Sequence, residues 1–536
     1  MKKLIFLLGF LFTMYGLTGQ PWPSIIGEYG VLEEGRQIIE HYDNGFLITS
    51  SRGYGYDLHS GLIVKTNING QVLWDKEIGI APDQIMIDKT LYDEEGNIYV
   101  FGLIIQNTQY DWPVVIKLNA CGEKVWCKNL YNPDFYFGYF TDAMLLDNGD
   151  LLGLAYYPDE DQHDIIFLFC LSPDGQYKWK KSYASCDNYP NFAQRIGNAL
   201  DKFGDTYIIS GYVYSPYPNG NPNHVFLRPM FIGIDEEFRE KWVVEFGIND
   251  SLLGISYSSI QISDSVFMGV GTNRVIENGN LTDRSFLMFY DSKGNEVKHH
   301  VIKGSDIAPE IHQNKIYEIE KVNEELYVCA VGIGEQYSGS PMGEMIIDTA
   351  GNVFDYEIRQ YSGGGGTYMD KTFDGKYIIA NSYRLSQAYE WDVNLYKINE
   401  NLEMDTLYPG NYTYDSLCPH AIQSGVIDLT GCDVVTGIDE IPTLEEYRQH
   451  LQTIPIHASP NPSATGEILL EMENTARHPD LQLKVFDVFG KVIHTQTILP
   501  AQGALRLDTS GWNAGMYFAV IYSDQQLKGS CKIMIE

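Results

Sequence analysis

From Arg36 to Tyr408 the chain alternates apolar and polar residues in short runs, and the runs recur as a unit. Each unit begins with a strand, a polar turn and a second strand, as in DNGFLITSS, EEGNIYVFG, DNGDLLGLA, KFGDTYIISG, SDSVFMGVG, NEELYVCAVG and DGKYIIANS. After a variable loop come a third strand, a tight turn and a fourth, as in LIVKTNINGQVLW, VVIKLNACGEKVW, IFLFCLSPDGQYKW, MFIGIDEEFREKW, FLMFYDSKGNEV, GEMIIDTAGNVF and NLYKINENLEM. Seven such units, spaced by roughly 50 to 60 residues, predict an all-β seven-bladed propeller. A four-stranded blade cannot bury both faces alone, so blades stack around an axis and close into a ring that protects their edges. Gly70, Gly122, Gly175, Gly294 and Gly351 supply the positive backbone angles of the tight hairpins. Trp74, Trp126, Trp179 and Trp242 follow at a fixed offset and are expected to pack between blades. Ser24 to Tyr29 is expected to close the ring as an outer strand of the last blade.

The unit resembles the outer repeats of quinoprotein-like and other bacterial propellers with a turn glycine and a tryptophan. It lacks the Ser-x-Asp-x-Gly-x-Thr-Trp box of sialidases and the Gly-His and Trp-Asp pairs of tryptophan-aspartate repeats. The likeness is architectural and implies no cofactor.

Loop lengths separate two rims. First-to-second and third-to-fourth turns are tight, while second-to-third loops and blade connections are long, so binding is expected on the long-loop rim. Tyr54, Tyr56, Tyr110, Trp112, Tyr156, Tyr157, Tyr217, Tyr337, Tyr389 and Trp391 present aromatic faces there, beside Asp57, Asp111 and Asp161. Flat apolar rings with nearby carboxylates suit a glycan or a protein ligand. The chain has no His-Glu-x-x-His, Gly-x-Ser-x-Gly, Walker or calcium-loop motif and no zinc spacing. Alternation sends His299 and His300 to opposite strand faces, which disfavours joint metal ligation. Binding or adhesion is therefore the leading function; the alternative is a glycan-active hydrolase using the loop carboxylates.

The last eighty or so residues form a separate pattern of alternating strands with Asn-Pro, Phe-Gly-Lys and Asn-Ala-Gly turns, predicting a small immunoglobulin-like β-sandwich. With Pro460, Asn461 and Pro462 at its opening, the Asp487–Lys491 turn containing Gly490, the Gly515–Tyr517 strand and a terminal strand bearing Lys532, it resembles the C-terminal sorting domain of type IX secretion cargo of Bacteroidetes. That resemblance implies passage through the periplasm, recognition by the type IX machinery and a sortase-like peptidase, and delivery to the cell surface or medium. The ending KIMIE and Cys531 depart from the usual finish.

Composition narrows the partners. A formal charge of −34 and a pI near 4.6 argue against nucleic acid. Residues 1–19 read as a signal peptide, with Lys2 and Lys3 before an apolar stretch from Leu4 to Leu17, and no later run is long enough for a transmembrane anchor. Residues 20–431 are assigned to the propeller and its closing cysteine loop, 432–455 to a linker, and 456–536 to the sorting domain. In the linker Thr443 to Glu446 has capping-box form. Eight cysteines permit disulfides in an exported chain. Cys418 with Cys432 is the favoured pair, a bridge worth about 3 kcal/mol by loop closure. Cys121 with Cys127 and Cys170 with Cys186 are further expectations.

Overall fold

The computed structural model describes residues 22–435 and 456–535, apart from 55–56, 80–83, 107–109, 131–137, 159–163, 184–194, 217–224, 246–252, 278–279, 335–340, 362–365, 385–390, 464–465, 473–480, 489–490, 500–502 and 524–525. The expected signal peptide and the Thr443–Glu446 capping box lie outside these residues. The chain divides into two compact units at Glu440.

The first unit is a propeller of seven antiparallel sheets. Its inner strands are Leu32–Glu40, Gln84–Tyr92, Tyr139–Leu145, Arg195–Phe203, Leu253–Ser263, Gln313–Lys321 and Thr367–Lys371, and they begin blades 1 to 7. In blades 1 to 6 three further strands follow outward in chain order. Blade 7 takes its outermost strand from the N-terminal end, where Ser24–Ile26 pairs with Trp391–Ile398. The expected ring closure is thus present, and it pairs the edge that Trp391–Ile398 would otherwise leave bare.

Local chemistry fixes six of the seven outer hairpins. Asn67, Asn119, Asp235, Asp291, Asp348 and Asn399 accept hydrogen bonds at 2.7–3.1 Å from the backbone N–H groups two and four residues ahead. The side chain thereby organises the turn before any blade packs. The tryptophans then interlock the blades. Trp126 donates its indole N–H to Pro173 O and Trp242 to Ser292 O, each in the outer hairpin of the next blade. Gly175 and Gly294 lie directly beneath those rings, at φ +80° and +79°, where a Cβ would meet the indole at 2.9 and 2.8 Å. Trp179 packs against Phe238 in the same way, with ring centroids 4.6 Å apart. Trp22 covers Gly70 across the closure between blades 7 and 1, and His300 takes the tryptophan's place over Gly351. His299 points outward beside Glu296 at 2.7 Å, so the two neighbouring histidines do diverge.

After blade 7 the chain does not leave the ring at Cys432. Gly425–Ile427 pairs in parallel with the outer strand of blade 1, and Asp433–Val435 with that of blade 2. Residues 433–435, expected in the linker, are therefore part of the propeller sheets. The disulfides also differ from the expected pairs: Cys121 bonds Cys418 and Cys127 bonds Cys432. Ring closure brings the tail onto blade 2, so each cysteine meets a partner about three hundred residues away before its sequence neighbour. Cys170 is a buried free thiol, and Cys186 lies outside the described residues.

The second unit is a sandwich of two sheets. Ile456–Ser459, Glu467–Met472 and Ala504–Asp508 form one, and Val492–Ile498, Leu481–Asp487, Gly515–Ser523 and Gln526–Ile535 form the other. Alternation puts Ile468 and Leu470 from the first sheet against Leu483, Val485, Ala519, Ile521 and Ile533 from the second.

Candidate functional site

The residues expected on the long-loop rim divide into several groups. Tyr56, Asp161, Tyr217, Tyr337 and Tyr389 lie outside the described residues. Tyr54 pairs with Asp57, Tyr110 with Gln106 and Asp111 with Ile105, at the loop ends of the middle hairpins of blades 1 and 2. Trp112 and Tyr157 correct the expectation of exposed platforms, because both are buried, at 5% and 0% exposure. Tyr157 donates its hydroxyl to Leu130 O and packs against Phe167 and Phe169. The strand extends further into the loop than the pattern suggested and turns these rings into core. Tyr156 faces the other way, stacked on Tyr139 with centroids 5.3 Å apart. Trp391 is partly buried at the start of the third strand of blade 7.

A different site lies on the propeller axis. In six of the seven inner strands the pairing register slips by one residue, at Arg36, Asp88, Thr141, Asn198, Tyr257 and Tyr317. Tyr368 stands at the corresponding place in blade 7. Such a bulge re-aims the extra side chain out of the strand's normal alternation. Room for it comes from the second strand, where Gly102, Gly211 and Gly271 face the slip; a Cβ there would lie 2.0–2.2 Å from a carbonyl oxygen of the inner strand.

Charged groups gather around these positions. Arg36 lies 4.0 Å from Asp88, and Lys89 lies 2.6 Å from Asp142, so blades 1 to 3 are linked by ion pairs. Asp201, Glu318, Glu320 and Asp370 join Glu34, Asp88 and Asp142 in a group in which carboxylates outnumber the cations Arg36, Lys89 and, beside Glu320, Lys371 among the described residues. Groups on blades 2, 3, 4 and 6 act electrostatically on Glu318, which requires that they converge near the axis. The side chains of Arg36, Asp88 and Lys89 retain 22–27% exposure, so they face water inside the ring rather than packed core.

Several of these groups have a structural duty. Inner strands are edges, and their free N–H groups need acceptors. Gln37 accepts from Thr90 N at 2.6 Å, Asp142 from Leu200 N at 2.8 Å, Asp201 from Ser259 N at 3.2 Å and Asp370 from Glu40 N at 3.0 Å. Each bond runs from one blade to the next.

Burial, reinforced by Asp142, pushes the Asp201 carboxyl up to about 8. Burial and Asp370 raise Glu320 to about 7, and burial lifts Glu318 well above the usual carboxylate range despite Lys89. Asp88 and Asp370 are raised by burial as well. For Lys89 burial opposes the charge, but Asp142 outweighs it and the ammonium is held more firmly than usual. Tyr257 and Tyr317 come within 5.3 Å, centroid to centroid, and burial keeps both phenols neutral, Tyr317 at about 12. Tyr368, at about 12, stands beside Arg36. The arrangement offers neutral phenol rings, protonated carboxyl donors and ionised acceptors within one enclosure.

One side-chain cluster has the composition of a metal site but is already filled. His41, Asp43 and Asp415 bring ligand atoms within 4.8 Å of one another, yet the Lys65 ammonium lies 2.8 Å from His41 Nδ1 and pairs with Asp43. Cys121, Cys418 and His420 also converge, with both sulfurs committed to the disulfide.

The axial residues were missed because the first strands read as ordinary alternation. Their signal was a glycine inside the second strand, Gly102, Gly211 and Gly271 in blades 2, 4 and 5, which marks where the inner strand crowds its neighbour.

In the second unit the expected motif residues do come together. Asn461 donates Nδ2–H to Lys532 O at 2.7 Å and accepts from Met534 N at 2.9 Å, so one side chain pairs with the last strand as a backbone segment would. Ser463 N–H donates to Met534 O at 2.9 Å. Lys491 N–H donates to Asp487 Oδ1 at 2.9 Å and closes that turn, whose Gly490 lies outside the described residues. Tyr517 is buried, with its hydroxyl on Asn513 O at 2.8 Å. Pro460, Pro462 and Gly515 are exposed.

Residues 458–536 match the family model of the secretion system C-terminal sorting domain. Among solved structures, an ulvan lyase of a polysaccharide lyase family, bound to -[GlcA(1-4)Rha3S]-, is similar at 12% identity over 70% of this chain and 96% of its own, with a TM-score of 0.50. The full extracellular region of plexin A4 aligns at 9% identity over 95% of this chain and 53% of its own, with a TM-score of 0.43. No curated protein matches the chain. At such identity the lyase likeness bears on the fold alone. The sorting domain makes this chain a type IX cargo that engages the type IX machinery and is exported to the cell surface or medium. No helix among the described residues is long and apolar enough to cross a membrane.

Proposed function

We propose that this type IX cargo is an exported binding module whose propeller takes a neutral or amine-bearing glycan at its axis, approached from the long-loop rim. The observation that supports this reading is the bulge repeated in six inner strands, which sets Tyr257 and Tyr317 near Asp283 at positions equivalent to that of Tyr368 on the regularly paired seventh strand, itself near Asp88 and Glu318. Sugar C–H faces stack on neutral phenols, and hydroxyls bond to carboxyl groups of either protonation state. An excess of carboxylates repels uronate or sulfated chains, so the charge of the site differs from what an anionic polysaccharide needs. Release from the sorting domain by a sortase-like peptidase belongs to the same proposal.

The test is an array of neutral, amino and uronic-acid glycans probed with the full chain. Retention of neutral or amino glycans, weakened at least tenfold in Tyr257→Ala/Tyr317→Ala with the melting temperature largely kept, supports the reading. Retention confined to anionic glycans, or unchanged in the double variant, overturns it. A second reading is glycan hydrolysis at the same place, favoured by the protonated Asp201 near other carboxylates, the acid and base pairing such chemistry uses. Asp201→Asn would then remove product formation while sparing retention.

A further inference from the structure

The closing segment 409–435 runs from blade 7 to the outer edges of blades 1 and 2. It has little to hold it there by packing. Its two strands have three residues each, and within it only Cys418, Ile427 and Leu429 are buried apolar side chains. Strands that short, with so little apolar area, are marginal alone. Polar anchors add register: Asp415 N–H donates to Asp43 Oδ2 at 2.9 Å, Trp74 Nε1–H to Asp415 Oδ2 at 2.9 Å, and Lys124 reaches Thr430 O at 2.9 Å. The firm attachments are the two disulfides, at sequence separations of 297 and 305. They join blade 2 to the end of blade 7, so one covalent loop encloses blades 3 to 7 and reinforces a closure whose non-covalent part is the core shared by blades 7 and 1, with Trp22 and Ser24–Ile26 at its outer edge.

We propose that this segment is a redox-controlled latch: the ring locks only when both bridges form, and reduction frees the segment and uncovers the outer strands of blades 1 and 2. Cys121 and Cys127 cannot find their partners until the last blade has docked, so oxidation follows ring closure and then secures it. Each bridge forms when two thiols pass two electrons and two protons to a dithiol–disulfide exchange oxidant, whose disulfide becomes two thiols. A small thiol or phosphine reductant reverses the step. An exported protein meets such oxidants outside the cytoplasm, where disulfides persist.

The experiment is limited proteolysis of the folded full chain before and after reduction, with thiol labelling and mass mapping of the cuts. Cys170 and Cys329, buried and free, serve as internal controls that stay unlabelled while the ring remains folded. Reduction should open both bridges, raise cleavage within 409–435 roughly tenfold or more, and leave the strands of blades 3 to 6 protected. The variant Cys121→Ser/Cys418→Ser/Cys127→Ser/Cys432→Ser should show the same cuts without reductant; if it fails to fold, reduction of the folded wild type decides alone. Bridges that resist reduction in the folded protein, or a segment that stays protected once both are open, overturn the proposal.

Discussion

Replacing Lys89 by Met tests whether the axis is an electrostatic enclosure. The side chain keeps its length and loses its charge. In the native protein its ammonium lies 2.6 Å from Asp142, an attraction of about 6 kcal/mol at an effective dielectric constant near 20. The water that Lys89 still faces inside the ring screens this pair, and its partial desolvation offsets more of it, so the net loss on removing the charge is about 2–3 kcal/mol when the neighbouring carboxylates are ionised. That condition depends on pH. Asp201 and Glu320 are raised to about 8 and about 7, and Glu318 is raised well above its usual range. Raised carboxyls favour the folded state while protonated, and this contribution is lost as pH climbs through 7 to 8. At pH 5 the variant therefore loses about 1 kcal/mol, chiefly its pairing with Asp142, and at pH 9 the loss reaches about 2–3 kcal/mol. Chemical denaturation followed by tryptophan fluorescence at the two pH values measures the difference. Equal losses at both, or a gain in stability at pH 9, would refute the reasoning.

Two further outcomes follow from the packing. Trp112→Ala and Tyr157→Ala should each destabilise the propeller by about 3–5 kcal/mol, because both rings are buried, whereas the partly exposed Trp391→Ala should cost less; thermal melts of the three variants check the order. Asn461→Ala removes two hydrogen bonds to the last strand and should cost the sorting domain about 1–3 kcal/mol; delivery to the cell surface, compared by fractionation with the wild type, should fall with it, and unchanged delivery and melting would contradict the assigned role of that side chain.

The sequence alone determined the features that neighbouring residues build together. An Asn or Asp at the head of a turn and a Gly at its end specify a hairpin, and seven repetitions of two hairpins leave a closed ring as the way to bury every face. The Pro-Asn-Pro opening and the alternating strands behind it marked the sorting sandwich for the same local reason. Tertiary structure decided what depends on residues far apart in the chain. Cys418 had a plausible neighbour in Cys432, but closure of the ring placed Cys121 nearer, and no spacing rule carries that information. Trp112 and Tyr157 sit in segments with loop-like composition, and only the length of the neighbouring strands made them core. The axial carboxylates looked like the polar half of ordinary strands, since Asp88, Asp142, Asp201 and Glu318 lie on four different blades. The strands turn toward a common axis what sequence distance keeps apart, and burial there gives Asp88, Asp201 and Glu318 proton affinities that none of them has by itself.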